Sequence, residues 1–168
     1  MRNIRRKEKA VIETGQLHWI LKATQYITIA MCAHDEPYLV TLSHGYDEDR
    51  NCIYFHCAME GKKVDILREN NLVWGQALLD YGYSTGECTH KYATTEFMGR
   101  VKFIVDQTEK KQALEIMARQ LEKDPEGVLK KQIKGDSLAK VNIGRIDIEY
   151  MSGKKSKEVT LGEKPQRF

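Results

Sequence analysis

Apolar residues recur along this chain with two periods, and the switches between them mark out its elements. Leu17, Ile20 and Leu21 are spaced for one helix face, with Thr14 placed as its cap. Residues 26–33 then alternate, with Ile27, Ile29 and Met31 on one side of a predicted strand. After a turn at His34-Asp35-Glu36, a second strand is expected over 37–46, its proline at the first position. The charged run 47–51 is a turn that should join this strand in a hairpin to 52–58. There Ile53, Phe55 and Cys57 alternate with Cys52, Tyr54 and His56. A helical period returns over 60–70, with Val64 and Leu67 inward and Asn70-Asn71 at its end. Strands are expected over 72–80 and 92–105, followed by a helix capped by Thr108 with Leu114, Met117 and Leu121 as its stripe. Asp124-Pro125 opens a short helix that Gly135 ends. In the last strand, about 139–150, the apolar phase changes between Val141/Ile143 and Ile146/Ile148, which predicts a bulge near Gly144.

Strands outnumber helices and are joined by short turns, so the expected fold is mainly β (α+β), an antiparallel barrel with peripheral helices. The 168 residues fit one domain, with loose tails expected at about 1–10 and 153–168. A 41% hydrophobic and 30% charged composition is that of an ordinary globular protein. A net charge of +3 is too small to point to nucleic acid, and Glu8 and Glu13 follow the basic residues Arg2, Arg5, Arg6 and Lys7. Without a long apolar run or a signal-peptide pattern, the protein is expected to be cytoplasmic and away from membranes. Cys32, Cys52, Cys57 and Cys88 form no CxxC pair and all fall among strand-like residues, where small buried thiols are expected. No histidine or cysteine pair has zinc-site spacing, so no metal site is expected.

The informative stretch is FHCAMEGKKVDIL, residues 55–67. A strand ends, Ala58 permits close approach, and Gly61 opens a helix whose first turn holds Lys62 and Lys63. Lysine opposes the macrodipole at a helix start, so two there make sense if an anion binds to the free N–H groups. Two solvated lysines on an exposed helix are the alternative reading. His56, beside this stretch, is the best candidate for a proton donor or cofactor contact, because imidazole titrates near neutrality.

The sequence resembles the FMN-binding split-barrel family related to pyridoxamine 5′-phosphate oxidase, and within it the nitroimidazole-resistance (Nim-type) branch. The segments that carry the resemblance are VIETGQLHWILKATQYITIA, PYLVTLSHGYD, IYFHCAMEGKKVDILREN, ECTHKYATTEFMGRV and IDIEYMSGKK, in that order between about Val11 and Lys154. It implies FMN at a homodimer interface, with Val40, Thr41, Leu42 and Ser43 along the ring. His56, Cys57, Ala58, Gly61, Lys62 and Lys63 would hold the ribityl phosphate, and Gln76 and Thr94 would make further flavin contacts. Thr41 replaces a common proline, and Ala93-Thr94-Thr95 the usual Ser-Val. The only tryptophans are Trp19 and Trp74, so the substrate motif of the true pyridoxamine phosphate oxidases is missing and that activity is not expected. The resemblance implies an oxidoreductase reducing a small electron acceptor such as a nitroaromatic or quinone. A flavin carrier or sensor without turnover, and a haem protein using His44 or His56 as ligand, are the alternatives.

Overall fold

The computed structural model describes residues 4–133, 137–163 and 165. Its strands are β1 (Ala10–Val11), β2 (Tyr26–Ala33), β3 (Glu36–Ser43), β4 (Gly45–Asp47), β5 (Cys52–Cys57), β6 (Leu72–Ser84), β7 (Thr89–Phe103) and β8 (Asn142–Lys155). The helices are α1 (Thr14–Ala23), α2 (Lys62–Glu69), α3 (Gln107–Leu121), α4 (Pro125–Gln132) and α5 (Ser137–Lys140). All strands pair antiparallel in one sheet of order β3-β2-β6-β7-β8-β5-β4, with β1 added against β8. The inward residues of β2, β5, β6, β7 and β8 meet Ile20 and Leu21 of α1 in the principal core. This is the expected antiparallel architecture, an α+β split barrel.

The strand expected over 37–46 is divided at His44. β3 stands at one edge of the sheet and β4 at the other, so the chain passes from edge to edge across a single residue. The sheet must therefore curl on itself. The hairpin with β5 is formed by β4 alone, Gly45 facing Tyr54, while β3 pairs with β2. His44 is fully buried and its Nε2 lies 2.9 Å from the Leu21 carbonyl oxygen. From α3, the Gln120 amide donates to the Leu21 and Thr24 carbonyls and accepts from the Tyr46 N–H. A Cβ on Gly45 would meet the Met117 backbone at 2.8 Å, so only glycine lets α3 press this closely on the corner.

A second, smaller core lies beneath α3, where Cys52 and Tyr54 of β5 and Ile143 of β8 meet Ala113 and Met117. The Glu109 carboxylate ties α3 to the sheet by accepting from Arg50, Tyr54 and Arg145. Burial pushes the Cys52 thiol up to about 11, so it stays protonated.

This two-sided burial explains the phase change in β8 without a bulge at Gly144, where pairing to both Phe55 and Phe103 runs unbroken. Ile143 faces the α3 layer and Ile146 the barrel. Gly144 instead leaves room for the Phe55 ring, which a Cβ there would meet at 2.2 Å. The register shift in β8 falls farther on, where Met98 pairs with Tyr150 and Gly99 with Ile148, leaving Glu149 extra.

Other expectations are corrected as well. α3 is capped by Asp106, which accepts from the Glu109 N–H, rather than by Thr108, and Thr14 sits inside α1 with Glu13 at the N-cap position. The ends expected to be loose are anchored where described: Ala10 and Val11 pair with Lys154 and Gly153, and Val159 is buried. Cys88 is exposed in the β6–β7 turn. Gly135 and Arg2 lie outside the described residues. Among the described residues, no helix is long and apolar enough to cross a membrane.

Burial lowers the His44 pKa to about 4, against an ordinary 6.5, and the Leu21 carbonyl only partly offsets this. Between these values the unfolded chain binds the proton that the folded chain refuses, so stability falls as the pH drops. Urea unfolding should show little contribution from this residue above about pH 6.5, and a loss of about 3 kcal/mol by pH 4 attributable to it. His44→Gln should be less stable at neutral pH but lack that part of the slope. An unchanged slope in the variant would assign it to other groups.

Candidate functional site

β5 ends at Cys57, and residues 58–61 lead directly into α2. Gly61 is the N-cap residue of α2 and adopts φ +129, a conformation that L side chains rarely adopt. It offers no side-chain oxygen to the first turn, and an added Cβ there would meet nothing within 4 Å. The Gly61 carbonyl accepts from Val64 and Asp65, beginning the helix. The earlier N–H groups are thus left for solvent or an anion, at the positive end of the helix dipole.

The two lysines diverge from this point. Lys62 Nζ bonds the Glu36 carboxylate at 2.7 Å and lies 5.0 Å from the Tyr38 ring centroid. Their hydrogen bond lowers the Glu36 pKa and raises that of Lys62. Both side chains are exposed, and an ion pair of this kind holds its partners weakly. Lys63 instead folds over Phe55, its Nζ 5.7 Å from the ring centroid. Burial raises the neighbouring Cys57 thiol pKa, and the Lys63 charge works against that rise. Ala58 contributes its carbonyl, which accepts from Asn142 Nδ2 at 3.3 Å.

The other predicted positions lie on the sheet. Val40 and Leu42 pair with Ile29 and Ile27 and pack against the barrel core, whereas Thr41 and Ser43 take the outer face. Thr41 pairs with Thr28, Thr28 with Gln76, Gln76 with Glu96, and Glu96 with Ser152. A polar stripe therefore crosses five strands, with the Thr28 and Thr41 hydroxyls 3.0 Å apart. Thr94 is buried, and its Oγ1 donates to the Lys154 carbonyl at 3.4 Å. His56 is on the face of β5 opposite Phe55 and Cys57, at the edge of an apolar cleft formed with α3 and α4.

Sequence reasoning missed the apolar row beside the stripe. Leu39, Ala30, Trp74, Met98 and Tyr150 pair in succession across the same strands. Leu39 is 65% exposed, Trp74 42% and Leu78 46%, and Tyr26 is exposed on the same face. The available signal was consecutive apolar residues, Leu39-Val40 and Val73-Trp74, which give a strand two apolar faces. The sequence also does not reveal that Glu36 would hold Lys62.

The family described as pyridoxamine 5′-phosphate oxidase matches residues 13–155. No curated protein matches the chain. A solved structure of a candidate 5-nitroimidazole antibiotic resistance protein from Bacteroides thetaiotaomicron is 24% identical, with 86% of this chain and 85% of that chain covered and a TM-score of 0.73. An FAD-binding protein from Mesorhizobium loti is 19% identical over 86% of this chain and 96% of its own, with a TM-score of 0.63. An FAD- and haem-binding protein from Mycobacterium smegmatis is 16% identical, covering 95% and 77%, with a TM-score of 0.70. At these identities the likeness to solved structures establishes the shared fold.

The geometry at α2 leads to a direct measurement. Inorganic phosphate titrated into the protein should shift the Gly61, Lys62 and Lys63 amide resonances together. A charge-assisted hydrogen bond contributes roughly 1.5–3 kcal/mol, so Lys63→Ala should weaken the response about ten- to a hundredfold. Lys62→Ala should do less, since Lys62 is already paired. Phosphate shifts centred elsewhere would remove the anion site from α2.

Proposed function

Because the chain belongs to the pyridoxamine 5′-phosphate oxidase family, we propose that it is an FMN-binding oxidoreductase that works as a homodimer. The observation that carries this reading is the start of α2, where Gly61 leaves the first N–H groups uncapped and Lys63 stands beside them. A terminal phosphate ester fits this donor set: backbone N–H groups, a helix dipole and a lysine ammonium, with the Glu36 carboxylate on Lys62 weakly held. A dinucleotide presents a bridging pyrophosphate instead, and the unphosphorylated vitamin presents no anion. The donor set supports a phosphate-bearing flavin, with FMN as the form proposed.

The flavin ring needs a flat surface with hydrogen-bonding groups and protection from water. The outer face of β3, β2 and β6 offers the first through the Thr41–Thr28–Gln76 stripe, and its exposed apolar row containing Leu39 and Trp74 would exclude water once covered. An exposed apolar surface spread over several strands is uncommon on a protein that works alone. A second copy of the chain set against it by a twofold axis would cover the row and enclose the ring. Bound flavin supplies hydride and single-electron transfer; the residues here position it, exclude water and hold its phosphate. A small acceptor such as a nitroaromatic or quinone suits a face of this kind, which has no dedicated acid or base along the stripe other than Glu96.

Two outcomes are expected. Purified protein should show a flavin absorption spectrum or take up FMN on titration, with riboflavin bound at least about tenfold more weakly, and Lys63→Ala should remove most of that preference. Equal affinity for riboflavin would contradict the phosphate site. NADH or NADPH with a nitroaromatic should bleach and restore the flavin band; a flavin that stays oxidised would leave binding without turnover. In sedimentation at micromolar concentration the protein should be a dimer, and Leu39→Glu should shift it toward monomer and weaken FMN binding. A monomer that binds FMN fully would overturn the shared-interface reading.

A further inference from the structure

The outward residues of β5 change character along the strand. Cys52 and Tyr54 are fully buried in the layer beneath α3, but His56, next on the same face, is exposed. The layer is not filled beyond Tyr54. A cleft of about 400 Å³ lies there, walled by Leu114, Met117 and Leu121 of α3 and by Val128 and Leu129 of α4. Among its described lining residues, His56 and Glu122 are the polar ones. Clefts of roughly 300–1,000 Å³ with apolar walls and few polar groups are the usual form of small-molecule sites.

We infer that this cleft is a binding site for a small, uncharged aromatic or alicyclic molecule bearing one hydrogen-bond donor. The apolar walls select the body of the ligand, because burying such a surface contributes about 25 cal/mol per Å². The polar groups select its end. A carboxylate only accepts, so Glu122 would take a donor from the ligand in place of water, and the His56 ring serves as either donor or acceptor. An anionic ligand would meet the Glu122 charge, and the described lining residues include no cation to offset it. A cation would give up its hydration to apolar walls in exchange for one solvated carboxylate. The site is on the far side of β5 from the barrel core and does not depend on the flavin reading.

N-phenyl-1-naphthylamine, an uncharged aromatic with a single N–H donor that brightens in apolar surroundings, is a suitable probe. Titrated into the full chain, it should give a saturable rise in emission with one molecule per chain. In methyl-labelled protein it should shift the Leu114, Leu121, Leu129 and Met117 resonances and leave Leu39 and Leu78 unmoved. Leu129→Trp should fill the cleft and abolish binding, and the smaller change Ala118→Met should weaken it if the tryptophan variant does not fold. Glu122→Ala should cost about two- to tenfold in affinity, as loss of one hydrogen-bond acceptor of this kind does. No saturable binding, shifts confined to Leu39 and Leu78, or full binding by a folded cleft-filled variant would overturn the inference.

Discussion

Ser43 and Gly45 stand at opposite edges of one sheet, yet only His44 separates them along the chain. This covalent constraint forces the sheet to close, and much of the surrounding structure serves to hold it. The corner buries the His44 ring and the Tyr46 N–H, which need partners: the Leu21 carbonyl at the end of α1 takes the ring, and the Gln120 amide of α3 accepts from Tyr46 while donating to the Leu21 and Thr24 carbonyls. α3 can reach the corner only because Gly45 has no side chain. Once α3 is docked there, its opposite end is held by Glu109 on Arg145 and Arg50, and the second core forms beneath it.

The candidate site inherits its form from the same closure. Curling brings the β3 edge toward the end of β5 and the start of α2, so that Lys62 reaches Glu36 and Tyr38. The same curvature turns Val40 and Leu42 into the barrel and leaves Thr41 and Ser43 on a broad outer face. The cation-bearing helix start thus meets the beginning of the same strand whose later residues carry the polar outer face, although α2 and β3 are more than a strand apart in the chain.

Local pattern made the elements legible but not the closure. Alternation at Ile27, Ile29 and Met31 yields β2 with its observed limits, and the Asp124-Pro125 signal yields α4, because each depends on neighbours only. The break at His44 has only Gly45 as a local mark, since Leu39–Leu42 before it and Tyr46 after it favour strand. The phase change in β8 was visible as a conflict, but its cause, a helix layer over Ile143, lies in α3, some thirty residues earlier. Asp106 and Thr108 both suit a cap, and only the backbone path decides between them. At the site, Gly61, Lys62 and Lys63 were readable as a unit. The Glu36 partner and the Trp74 row were not, because pairing between distant strands places them.

β8 is hydrogen-bonded to β7 on one side and β5 on the other, and β1 adds to it as well. Among the described strands it is the last in chain order. Until residues 142–155 emerge from the ribosome, the β6–β7 hairpin and the β4–β5 hairpin have no strand between them, and each presents an open edge although the other seven strands have been made. A nascent chain stalled before β8 would expose two pairing edges at once, and unpaired edges of this kind favour association with neighbouring chains.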